Sequence, residues 1–160
     1  MRLQTVLTIP AATALAVFVF PGSISVFDLR PRAYSPETAA LKAIQTLNTA
    51  QVQYYSQFGR FARLLTELGP PASGAANASA ADLISSELAS GEKQGYRFTL
   101  AGTGPGYSIT AAPTAFGSTG SRTFYSDQSL VIRENHGPEP ATANSREVGS
   151  ASAKSGSDTK

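Results

Sequence analysis

The sequence predicts an α+β domain: a long N-terminal amphipathic helix packed on a three- or four-stranded antiparallel sheet, with a loop and short helices between. Two observations carry this. Apolar residues recur at helical spacing from residue 36 to residue 58, and the period changes to two from residue 95. The 160 residues, 41% of them hydrophobic, suffice for one core and suggest one domain.

The helix is marked at both ends. Ser35 can accept a first-turn amide, Pro36 lacks an N–H that would be unpaired there, Glu37 complements the positive dipole end, and Gly59 supplies the stop. Ala40, Leu41, Ile44, Leu47, Val52, Tyr54, Tyr55 and Phe58 fall on one arc of roughly 160° at 100° per residue. Thr38, Lys42, Gln45, Thr46, Thr49, Gln53 and Ser56 fall opposite. At 1.5 Å per residue the helix runs about 35 Å. Asn48 and Gln51 lie inside the apolar arc, so they should be buried and hydrogen-bonded, either tying down the following loops or contacting another subunit. Tyr54 and Tyr55 point about 100° apart, which puts one near the edge of the buried arc, packed under the first loop rather than stacking on a ligand.

Beyond Gly59, Leu64, Leu65 and Leu68 suggest one tight helical turn closed by Gly69-Pro70-Pro71. Ser79 followed by Asp82 matches a capping pattern for a short helix ending at Gly91. Tyr96, Phe98 and Leu100 alternate with Arg97 and Thr99, and Tyr107, Ile109 and Ala111 repeat the pattern after a Gly102–Gly106 turn. Arg122 to Tyr125 and Leu130 to Arg133 complete the sheet. The predicted domain therefore covers residues 35–135.

At the N-terminus, an apolar stretch from Val6 to Phe20 follows Arg2 and precedes Pro21-Gly22, reading over residues 1–27 as a signal peptide or membrane anchor. Residues 28–34 form a polar linker. Residues 136–160, rich in Gly, Pro, Ser, Ala and Thr with Val148 as the one large apolar residue, read as a disordered tail. The globular part is expected outside the cytoplasm.

Composition argues against most chemistry. Cysteine is absent and histidine occurs once, at His136 in the tail, which starves thiol, zinc and nucleophile–base sites of ligands. The formal charge of +2 is not a nucleic-acid footprint, because residues 35–135 carry seven cationic and seven acidic side chains. Asp82, Glu87, Glu92, Asp127 and Glu134 could supply a carboxylate pair, but their spacing forces no convergence. The glycines of Gly102–Gly106 sit between strands and make a better hairpin than a phosphate loop. Asp127 is the one carboxylate from Pro113 to Asp127, too few for calcium. No catalytic, cofactor-binding or metal residue is assigned and no cofactor is expected.

A resemblance joins these parts. Leu47-Asn48-Thr49-Ala50, Leu65-Thr66-Glu67-Leu68-Gly69, Leu88-Ala89-Ser90-Gly91 with Gly95-Tyr96-Arg97-Phe98, and Gly120-Ser121-Arg122-Thr123-Phe124 with Asp127 resemble type IV pilins and type II secretion pseudopilins, the major pseudopilin in particular. The likeness covers Pro36 to Arg133 and is made of packing and turn residues. The usual prepilin peptidase motif is missing, since Ser23 follows Gly22 and no acid interrupts the apolar stretch. The resemblance implies a non-enzymatic, exported structural or assembly protein, in the periplasm, in the inner membrane facing it, or at the cell surface. Its partners would be other pilin-like subunits or assembly components, and the membrane if the N-terminal segment is uncleaved. The alternative is a free periplasmic or surface module binding a small ligand or glycan.

Overall fold

The computed structural model describes residues 35 to 150. The signal or anchor expected over residues 1–27, the linker over 28–34 and the last ten residues of the expected tail lie outside them.

Helix α1 spans Pro36–Phe58. The Ser35 hydroxyl accepts the Thr38 amide at 3.2 Å, and Gly59 ends the helix at φ 69°, donating its N–H to the Tyr55 carbonyl at 2.8 Å. Glycine enters that left-handed conformation without a Cβ clash. Ala40, Ala43, Ile44, Leu47, Ala50 and Tyr54 are buried. Val52 and Tyr55, placed by periodicity on the buried arc, are 51% and 50% exposed. The buried arc is rotated toward the alanines, because Leu83, Ile84 and Leu88 come to lie along that side, across a cleft from Ala39 and Ala43.

The next turn, α2 (Leu65–Leu68), is closed by the Gly69 N–H donating to the carbonyls of Leu65 and Thr66. The short helix expected from the Ser79 cap starts later, as α3 (Ser86–Ala89), with Ser85 as its cap. Ala81, Asp82 and Leu83 instead donate their amides to the carbonyls of Glu67, Gly69 and Leu68, each at 2.8 Å, and Asp82 sits at φ 55°. At that φ Asp82 is outside the right-handed helical region, so no helix runs through it, and the three amides fasten the segment to α2 and its cap Gly69 instead.

The expected fold class is corrected in two respects. The sheet has six strands rather than three or four, in the order β1 (Glu92–Lys93), β2 (Tyr96–Thr103), β3 (Gly106–Pro113), β4 (Thr123–Asp127), β5 (Arg133–Asn135) and β6 (Arg146–Glu147), all antiparallel. The long N-terminal helix is not shown as such: the long helix among the described residues is the 23-residue α1, beginning at Pro36. No helix of the described residues is long and apolar enough to cross a membrane.

The extra strands come from polar pairing that hydropathy does not register. β1 joins β2 through Gln94 and Gly95, both at positive φ as a two-residue hairpin of the primed type requires. Leu130 to Ile132 is not a strand. Leu130 sits at φ 64° after the Asp127 carboxylate accepts the Ser129 amide at 2.8 Å, and pairing resumes at Arg133. The tail expected to be disordered from residue 136 is folded as far as residue 150. β6 pairs with β5, Ala141 is 2% exposed, and the Thr123 hydroxyl donates to the Glu139 carbonyl at 2.7 Å while accepting the Ala141 amide at 2.9 Å. One core receives Tyr96, Phe98 and Leu100 from β2, Tyr107, Ile109 and Ala111 from β3, and Phe124 from β4, together with the inner side of α1.

Candidate interaction site

Polar anchors hold the inner side of α1 at intervals along its length. At the N-terminal end, Glu37 Oε1 accepts the Ser121 amide and hydroxyl, both at 2.9 Å, and Oε2 accepts Arg122 Nε and Nη2 at 2.9 and 2.6 Å. Burial alone would raise the Glu37 carboxyl; the hydrogen bonds from Ser121 and Arg122 outweigh it and hold the group below its ordinary value. Arg122 Nη1 reaches on to Glu134 Oε2 at 2.8 Å, and Glu134, 4% exposed, also has His136 Nε2 at 3.3 Å and Arg146 Nη2 at 3.6 Å.

Midway along, Tyr107 donates its hydroxyl to Asn48 Oδ1 at 3.1 Å, Asn48 Nδ2 donates to Ser126 Oγ at 2.9 Å, and Ser126 donates to the Val131 carbonyl at 3.0 Å. Burial, then the Asp127 charge, push the Tyr107 hydroxyl up to about 12. One turn further, Gln51 takes both backbone groups of Ala62, donating to its carbonyl and accepting its amide, each at 2.9 Å. The Tyr54 hydroxyl donates to the Ala78 carbonyl at 2.6 Å. Gln51 thus ties down the loop after the helix, as its place on the arc predicts, and Asn48 serves the sheet and the β4–β5 connection.

The outer side of α1 is built differently. Thr46 and Thr49 donate their hydroxyls to the carbonyls of Lys42 and Gln45, each at 3.0 Å, and Ser56 donates to Gln53 at 2.8 Å. These hydroxyls are satisfied within the helix, so the threonines are less polar toward solvent than their composition implies. The face forms a ridge between two grooves. One, of about 660 Å³, is lined by Ala43, Thr46, Ile84 and Leu88 with Lys42 and Lys93 among its charged residues; the other, of about 400 Å³, is lined by Gln45, Thr49, Val52, Leu130 and Ile132. Periodicity placed Val52 inside and so missed this patch. Mid-helix threonines were the sequence signal for the rest.

The carboxylates considered for acid–base work take separate partners. Glu87 pairs with Lys93 at 2.9 Å, Glu92 with Arg97 at 2.7 Å, Asp127 caps the Ser129 turn, Glu134 holds Arg122, and Asp82 lines the larger groove. Among the described residues no three His, Asp or Glu side chains are grouped to hold a metal ion. Gly102–Gly106 forms the β2–β3 turn, with Thr103 paired to Gly106. Comparison with protein-family models, curated proteins and solved structures gives no match to this chain.

Proposed function

We propose that this chain is a non-enzymatic, exported structural or assembly subunit of a type IV pilus or type II secretion kind of system, with similar subunits docking along the outer side of α1. The observation that carries this reading is the ridge itself: hydroxyls bonded back into the helix, Val52 half exposed, and grooves on both flanks. Interface centres are poor in charge, and hydroxyls whose hydrogens are already committed cost less to desolvate than free ones. Grooves beside a ridge are also what a second ridge packs into.

Size refines the reading. A helix face about 35 Å long and 10–12 Å wide offers about 400 Å², half of what each partner contributes to a standard interface. Such a face suits repeated, individually weak contacts in an assembly better than a tight dimer. The sequence resemblance to pilins and pseudopilins supplies the kind of assembly.

The absence of cysteine makes the test clean. Thr49→Cys, in the full-length chain exported by its own N-terminal segment, should give covalent dimers on mild oxidation, whereas Asn144→Cys, exposed elsewhere, should not. An exported Thr49→Cys protein that stays monomeric under the same oxidation would overturn the reading.

A further inference from the structure

The C-terminal end of α1 and the β2–β3 hairpin enclose a separate cleft of about 260 Å³. Tyr55, half exposed, lines it, and its ring is backed by Phe61 at 4.7 Å between centroids. Phe61 in turn meets the buried Tyr107 edge-on at 5.0 Å. The open ring is therefore held in place from behind, down to a core side chain.

Two guanidiniums border the cleft and no carboxylate does. They are not equivalent. Arg60 makes a two-pronged pair with Glu67, at 3.2 and 3.3 Å, which offsets its charge. The Arg63 guanidinium has no hydrogen-bond or ion-pair partner among the described residues. Its stem lies across the hairpin on Gly102, where a Cβ would fall 2.6 Å from Arg63 Cγ, so only glycine lets the arginine occupy this position. Beyond it, Gly104 at φ 58° leaves open space where a side chain would stand, and a ligand can approach the backbone.

We propose that this cleft binds a ring-borne carboxylate, a six-membered ring stacking on Tyr55 and its acid group gripped by the fork of Arg63. A planar carboxylate matches a guanidinium in two parallel hydrogen bonds. One cation with no carboxylate partner among the described residues fits a singly charged acid; a phosphate monoester, with nearly two charges, would need Arg60 as well, and Glu67 already holds it. The volume lies below the range of drug-sized pockets and admits one ring rather than a chain. A sugar acid and an aromatic acid share this chemistry. The site is independent of the subunit contacts proposed above.

The full-length chain, labelled with ¹⁵N, is titrated with glucuronate, benzoate, glucose and acetate while the amide signals of Gly102, Gly104 and Gly106 are followed. Saturable shifts are expected from at least one ring acid. A response to glucuronate alone assigns a sugar acid, one to benzoate alone an aromatic acid, and both outcomes uphold the site. Arg63→Gln and Tyr55→Ala should each weaken binding at least tenfold with thermal unfolding unchanged, and Leu64→Ala, an exposed neighbour, should not. The inference is overturned if neither ring acid shifts these amides, if glucose binds as tightly as glucuronate, or if acetate matches the ring acids and Tyr55→Ala has no effect.

Discussion

The two sides of α1 both carry polar side chains but use them in opposite ways. On the inner side, Asn48 and Gln51 reach away from the helix, to Tyr107 and Ser126 and to the backbone of Ala62. On the outer side, Thr46, Thr49 and Ser56 turn back onto carbonyls one turn earlier or less. Length explains the difference: an amide carried on one or two methylenes spans the gap to a neighbouring element, whereas a hydroxyl on Cβ reaches little beyond its own helix. The inner amides make the fold unique, since an unmet buried donor is costly. The outer hydroxyls, already bonded, add little to the cost of covering that face.

The sharpest way to break that contrast is to place the same charge on each side. Ile44→Asp, at a position with 0% exposure, should unfold the domain, because an unpaired buried carboxylate costs on the order of the whole stability of about 5–15 kcal/mol. Thr46→Asp on the outer side should change stability by about 0.5 kcal/mol or less. Circular dichroism during heating separates the two; a folded Ile44→Asp protein would show that the inner side is not sealed.

A smaller effect is expected at the N-terminal anchor. Arg122→Met leaves Glu134 buried without its closest partner and Glu37 without its fork, and should cost about 3 kcal/mol in urea unfolding. That is the low end for a buried pair, since the Arg122 side chain keeps 26% of its surface in water. A loss below about 1 kcal/mol would mark the cluster as an ordinary surface pair.

The smallest expected effect is the pH dependence of the same anchor. Glu37 is held below its ordinary value of 4.5, so the unfolded chain takes up its proton first. Its contribution is complete above about pH 5 and is lost as the pH falls from there through the lowered folded value. Glu37→Gln should therefore be less stable at neutral pH and lose less stability on acidification, with Glu67 and Asp127, also lowered, keeping part of the slope. Equal acid slopes in the two proteins would remove Glu37 from the account.

Local chemistry was legible in the sequence. Ser35 and Gly59 bound α1 because a hydroxyl acceptor and a residue without Cβ suit those positions wherever the helix lies. The alternation of Tyr96, Phe98 and Leu100 shows in β2 because one face of that strand is buried. Residues that depend on distant partners were harder to read. Val52 and Tyr55 have the right spacing for burial, yet the chain returning through Leu83, Ile84 and Leu88 covers the neighbouring side. Likewise Arg63 and the glycines of the β2–β3 turn, 39 or more residues apart in the chain, meet only once the hairpin folds over the loop.

By itself, then, the sequence determined what depends on neighbours along the chain: the caps, the alternating strands and the turn glycines. The tertiary structure decided the rotation of α1, the six-stranded extent of the sheet and the folding of residues 136–150. The reason is energetic. Caps and alternation act within a few residues, whereas β5 and β6 are fastened by pairing and by Thr123 gripping Glu139 and Ala141, interactions that carry almost no apolar signal and exist only after distant segments meet.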